Sequence, residues 1–195
     1  MLAKALTWMI RAFLGLTALY EIAIGNFTSS LLFFIAFFVS LIPIVIERHY
    51  GIKLHWIFKF EVALVVLWHM IGFFGAYQMF PWWDDVGHIN GGALVALITF
   101  AWLWTMHSTK RIKLPLSLIS LVTIAWGTLI GVLWEVMEFT WDSSNMVGAY
   151  GYAQNGLVDT MTDISNDMLA AVVVVVICVM LVSYARKRGR NPFVG

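Results

Sequence analysis

The chain has 195 residues, is 61% hydrophobic and only 12% charged, and its net charge is +1. A soluble domain carries about 25% charged residues, so the composition excludes an ordinary soluble globular protein, and the near-neutral balance without an extended basic patch excludes nucleic-acid binding. The single cysteine, Cys178, excludes an intrachain disulfide.

A helix needs roughly 20 apolar residues to cross the hydrocarbon core, and six runs meet that requirement: Leu6–Gly25, Thr28–Ile46, Trp56–Phe80, Val86–Met106, Leu114–Phe139 and Ile164–Tyr184. The first has no small-residue cleavage pattern before Asn26 and is expected to be a retained helix rather than a signal peptide. Asn26-Phe27-Thr28 matches a glycosylation acceptor, a pattern common by chance. His69, near the middle of run three, is by default a functional candidate, with a satisfied hydrogen bond as the simpler reading. Arg11 and Glu21 in run one are expected to pair or to snorkel toward water. The longest connection is the Gly/Asn/Tyr-rich piece from Asp142 to Asp163.

Charge alternates between the connections. Lys4 precedes run one; Arg48, Lys53 and Lys59 follow run two; Lys110, Arg111 and Lys113 follow run four; Arg186, Lys187, Arg188 and Arg190 follow run six. The connections after runs one, three and five contain no Lys or Arg. By the positive-inside rule the expected fold is an all-α integral membrane protein, six transmembrane helices in one bundle forming a single domain over 1–195, with both termini cytoplasmic. The expected location is the plasma membrane of a prokaryote, its inner membrane, crossed several times.

Nine of the eleven acids, Glu21, Asp84, Asp85, Glu135, Glu138, Asp142, Asp159, Asp163 and Asp167, then fall at or near the outer face. Asp84 and Asp85 stand four and three residues before His88, so either shares a helical face with the imidazole. Gly127, Gly131, Glu135, Glu138 and Asp142 are spaced four, four, three and four, a single stripe whose lower part is small and suits close helix contact. Asp159, Asp163 and Asp167 are again four apart. Depth agrees: Glu135 lies about 31 Å beyond Leu114 at 1.5 Å per residue.

Asp84, Asp85, Asp159 and Asp163 have an ordinary explanation as caps of helix amino termini. Glu135, Glu138 and Asp142 do not, because they sit at a carboxyl-terminal helix end, where the dipole disfavours negative charge. They require a positive partner, and no Lys or Arg lies in the outer connections. A divalent cation (Mg, Mn, Fe or Zn) held by His88, Glu135, Glu138, Asp163 and Asp167 answers that requirement; a solvated, partly protonated acidic rim is the alternative. Glu135 and Glu138 are similar to half of a carboxylate-bridged two-metal site, although the usual Glu-x-x-His partner is absent. Trp82, Trp83, Trp134 and Trp141 are expected in an interfacial belt.

Three motifs together, D-x-x-x-H with following glycines (Asp84, His88, Gly91, Gly92), W-E-x-x-E-F (Trp134, Glu135, Glu138, Phe139) and D-T-x-x-D (Asp159, Thr160, Asp163), resemble the YjdF-type family of small prokaryotic inner-membrane proteins. The resemblance covers Pro81 to Ala171. It implies the same membrane fold and importance for these acids without naming a reaction. Asp167 enters on its spacing alone.

Two functions compete. One is a metal-dependent hydrolase or transferase acting on a lipid-type substrate, with Asp84 or Asp159 as general base. The other is a cation or proton transporter, or a metal-binding accessory subunit without catalysis; a structural subunit is the third, simplest case. The expected partners are the lipid bilayer, a lipid-type substrate, and further copies of the chain through glycine-lined helix faces.

Overall fold

The computed structural model describes residues 2–51, 53–143 and 155–187, and among these the chain is helical without a strand. Its elements are α1 (Leu2–Ala23), α2 (Phe27–Tyr50), α3 (Trp56–Ile71), a π-helical turn (Gly72–Ala76), α4 (Tyr77–Met79), α5 (Trp83–Ser108), α6 (Leu116–Asp142) and α7 (Leu157–Lys187). Among the described residues six spans are long and apolar enough to cross a membrane, one for each apolar run in the sequence. The middle of the Asp142–Asp163 connection, and Arg188 and Arg190, lie outside the described residues.

The chain divides into two compact units, Met1–Trp83 and Asp84–Gly195. In the first, α1, α2 and α3 close around Leu14, Ala18, Phe33, Ala36 and Met70. Asn26 caps α2, its Oδ1 accepting from Ser29 N at 3.3 Å. Arg11 does not reach water, and its partner on its own helix is the Trp8 ring, 5.0 Å away, rather than Glu21. Arg11 is 2% exposed, and its Nε and Nη2 both donate to Ser40 O, at 3.2 and 2.7 Å. Pro43 lies three residues on in α2; its missing N–H leaves the Val39 carbonyl without its helical donor, next to the Ser40 carbonyl that the guanidinium binds.

Run three is not one continuous α-helix. It passes through the π turn, where Gly75 takes φ 113°, a conformation that costs a side chain but not glycine. The break lets His69 Nδ1 meet Tyr77 Oη at 2.8 Å, the satisfied role expected of a lone intramembrane histidine. Trp68 and Trp83 then stack at 3.8 Å and 9°, each indole N–H donating to the other's carbonyl, at 2.9 and 3.3 Å. Trp83 is thus a packing residue, whereas Trp82 is 51% exposed.

In the second unit α5, α6 and α7 bury Phe100, Leu103, Trp104, Ile119, Val175, Cys178 and Val182 toward the ends that carry Lys110, Arg111, Lys113 and Arg186. Toward the other end the buried side chains are His88, Glu135, Asp163 and Asp167.

A candidate metal centre at one end of the second unit

Small residues make the approach possible. A Cβ at Gly92 of α5 would lie 2.8 Å from Asp167 Cα and Oδ1, and one at Gly131 of α6 would lie 2.9 Å from Asp167 Cβ. One turn earlier in α6, a Cβ at Gly127 would come within 2.9 Å of Ala171 Cβ. The glycine stripe expected to suit close packing therefore receives α7 of the same chain, and Asp167 is wedged between two backbones with its carboxylate beneath His88.

His88 sits at the centre. Its Nδ1 is 2.9 Å from Asp167 Oδ2; an ionised carboxylate only accepts, so Nδ1 carries the proton and donates it. In the neutral ring Nε2 then carries the lone pair, and in the imidazolium it is a second N–H. Nε2 is buried without a hydrogen-bond partner, 3.4 Å from Glu135 Oε1 and 3.9 Å from Asp84 Oδ1. Both distances exceed an N–H···O bond. They are ordinary separations for neighbouring ligands of one ion.

The carboxylates follow the same scheme, one oxygen tied and the other turned inward. Glu138 Oε1 accepts from Trp134 Nε1 at 2.7 Å, while Oε2 is buried without a partner. Asp159, in the first turn of α7, accepts at Oδ2 from Asn155 N ahead of the helix at 2.8 Å, a backward contact rather than the forward one of an N-cap, and leaves Oδ1. Asp163 is 2% exposed and its Oδ2 has no hydrogen-bond partner. Asp85 turns away, accepting from Asn166 Nδ2 at 2.8 Å. Among the described residues three sets place one potential ligand atom per residue within 4.8 Å of one another: Asp84, His88 and Glu138; His88, Glu135 and Asp163; and Asp84, Asp159 and Asp163.

Of the seven site residues expected from the sequence, six thus fall into these sets. Asp167 stands behind His88, in the place of a carboxylate that fixes the tautomer and orientation of a ligating imidazole. Asp142 belongs to none of the three sets. Trp134, Asn155 and Gly92 act in ways the sequence reading did not assign: a belt tryptophan supplies a hydrogen bond, a backbone N–H anchors Asp159, and a motif glycine admits Asp167. The i to i+4 step from Trp134 to Glu138 is the signal that was there to be found.

Among the described residues of the second unit no Lys or Arg lies near this end, since none occurs from Asp84 to Thr109 or from Leu114 to Ala185. The amino-terminal ends of α5 and α7 turn positive dipole toward the acids, but six carboxyl groups around one imidazole exceed what two partial charges of about +0.5 can balance. Desolvated carboxylates without a counter-charge are costly. A cation or bound protons must supply the balance.

Comparison with known proteins adds identity of a coarse kind. A family described as "Predicted membrane protein (DUF2238)" matches residues 5–184. An uncharacterized protein of Thermotoga maritima is 26% identical over 189 residues, covering 96% of this chain and 93% of the relative. No solved structure matches the chain.

Proposed function

The chain belongs to the DUF2238 family of predicted membrane proteins, and we propose that this multi-pass membrane protein is a metal-dependent hydrolase or transferase acting on a lipid-type substrate. In this reading His88, Glu135, Glu138 and Asp163 hold a divalent cation, and Asp167 orients His88. The site faces the outer side of a prokaryotic inner membrane, opposite the Lys- and Arg-bearing ends.

The observation that carries the proposal is the buried Nε2 of His88, without a hydrogen-bond partner and held toward Glu135 and Asp84 by the bond from Nδ1 to Asp167. With the ring neutral, a nitrogen so placed offers its lone pair to a cation. Mixed imidazole and carboxylate ligands fit Zn, Fe or Mn, with Mg as the hard-ion limit. The cation would polarise an ester or phosphoryl oxygen and activate water. Asp84 and Asp159 would take the proton that water loses as it adds to the substrate. The membrane setting favours a lipid-type substrate, whose polar group reaches the helix ends while its chains stay in hydrocarbon.

Transport is supported less well. Below the cluster the second unit is filled by Phe100, Leu103, Trp104, Ile119 and Val175. The hydroxyls at that depth bond to their own helices, Thr99 to Val95 O and Thr123 to Ile119 O, both at 2.8 Å, so among the described residues no row of polar groups crosses this unit.

The test is purification in detergent with elemental analysis, followed by incubation with phospholipid vesicles and mass spectrometry of the lipids. Bound metal, and turnover abolished by chelation and by Asp84→Asn, are expected. A protein that binds no divalent cation would remove the basis for the reading.

A further inference from the structure

Six ligand-bearing side chains do not gather into one coordination sphere. The three sets share members pairwise instead: two contain His88, whose Nδ1 is held by Asp167 so that Nε2 serves one ion only, and the third, Asp84, Asp159 and Asp163, contains no imidazole and shares Asp84 with one of them and Asp163 with the other. A carboxylate has two oxygens and can give one to each of two ions. Asp84 and Asp163 therefore have the connectivity of bridging ligands, with His88, Glu135 and Glu138 on one side and Asp159 on the other.

We infer that the cluster holds two divalent cations, the second in an all-carboxylate site formed by Asp84, Asp159 and Asp163. Acidity alone would not carry this. The independent observation is Asp163, 2% exposed, with an Oδ2 that no protein group satisfies and a place in sets on both sides. Asp159 adds a preset ligand, because the Asn155 N–H holds its Oδ2 and frees Oδ1. Charge points the same way. With Asp84, Glu135, Glu138, Asp159, Asp163 and Asp167 ionised and His88 neutral, one divalent ion leaves −4 and two leave −2.

The ligand chemistry separates the two sites. Nitrogen plus carboxylate suits a borderline ion, whereas three carboxylates suit a hard one such as Mg or Mn. Ions sharing carboxylates lie about 3.5–4 Å apart, a spacing that clamps both the attacking and the leaving oxygen of a displacement. The inference rests on the metal-site reading above and changes one part of it: Asp84 and Asp159 act as ligands that place a second water-activating ion rather than as bases alone.

Mn(II) is a suitable probe, since it occupies both kinds of site and its paramagnetic resonance reports a neighbouring ion. The full chain, stripped by chelation in detergent, should take up two Mn(II) per chain, with the six-line spectrum of isolated Mn(II) replaced by that of a coupled pair. Asp159→Asn, nearly isosteric and outside the first site, should bind one Mn(II) and restore the six-line spectrum; Asp142→Asn should still bind two. One uncoupled Mn(II) in the parent would overturn the second site and leave the first. Two in Asp159→Asn would overturn its assignment to these residues. No uptake by the parent would overturn both this inference and the reading on which it rests.

Discussion

Asp167 of α7 occupies the space that Gly131 of α6 leaves open, so closely that a Cβ on Gly131 would lie 2.6 Å from the Asp167 carboxyl carbon. Helix packing and the charged centre are therefore one feature. The glycine that lets two helices meet also seats the carboxylate that orients His88.

Gly131→Leu is accordingly expected to cost about 1–3 kcal/mol, the usual range for overpacking, measured as a lowered melting temperature in detergent. Unchanged stability would mean that α6 and α7 do not pack along this face. Gly91, with open space around its Cβ position, is the comparison site: Gly91→Ala should be tolerated and gain slightly from helix propensity.

Asp167→Asn tests the support given to His88. The amide keeps the shape and can still accept from Nδ1, but without charge, so the imidazole should remain in place as a poorer ligand. Divalent-metal affinity should fall by about 10- to 100-fold with little change in stoichiometry, the usual effect of altering a partner behind a ligand. Isothermal titration separates this from removal of a ligand, for which stoichiometry itself should drop.

Metal should also stabilise the fold. A cation supplied at about 100 times its dissociation constant, if it binds only the folded state, contributes roughly 2.7 kcal/mol. His88→Ala and Glu135→Gln should lose most of that gain. An acidic rim without metal predicts the opposite pattern, in which Glu135→Gln stabilises the apo protein by relieving like-charge repulsion and added metal shifts the melting of neither form.

In the first unit, Arg11→Leu should destabilise by about 1.5–3 kcal/mol, the range for hydrogen bonds to a charged group, because two donors to Ser40 O are removed beside Pro43. A double-mutant cycle with Pro43→Ala tests whether the two features are coupled through the strained turn: Pro43→Ala restores an N–H to the Val39 carbonyl and removes the ring from the turn that holds Ser40 O. Additive effects would show that the two features are independent.

Reporter fusions test orientation. Positions 110–113 and the end of α7 should report the cytoplasm, and Asp84 and Ser143 the opposite side. A cytoplasmic Ser143 would contradict the orientation drawn from Lys and Arg placement.

Much of this was legible in the sequence because the bilayer makes two demands that a linear pattern records. Spans must be about 20 apolar residues long, which marked all six, and charge must sit at their ends, which separated the acid-bearing ends of 84–167 from the ends carrying Lys and Arg. Spacing of three and four further determined that Gly127, Gly131, Glu135 and Glu138 share a stripe and that Asp84 shares a face with His88. Tertiary structure decided the rest. Hydropathy does not register backbone geometry, so the π turn at Gly72–Ala76 was invisible in an unbroken apolar run. Periodicity fixes the face of one helix but not its rotation against another, so only the packed α5, α6 and α7 show Asp167 bonded to Nδ1 rather than beside Nε2. The bonds from Trp134 to Glu138 and from Asn155 to Asp159 are local steps of four residues, but only the packed helices show that the oxygens they leave over turn toward His88 and Asp163.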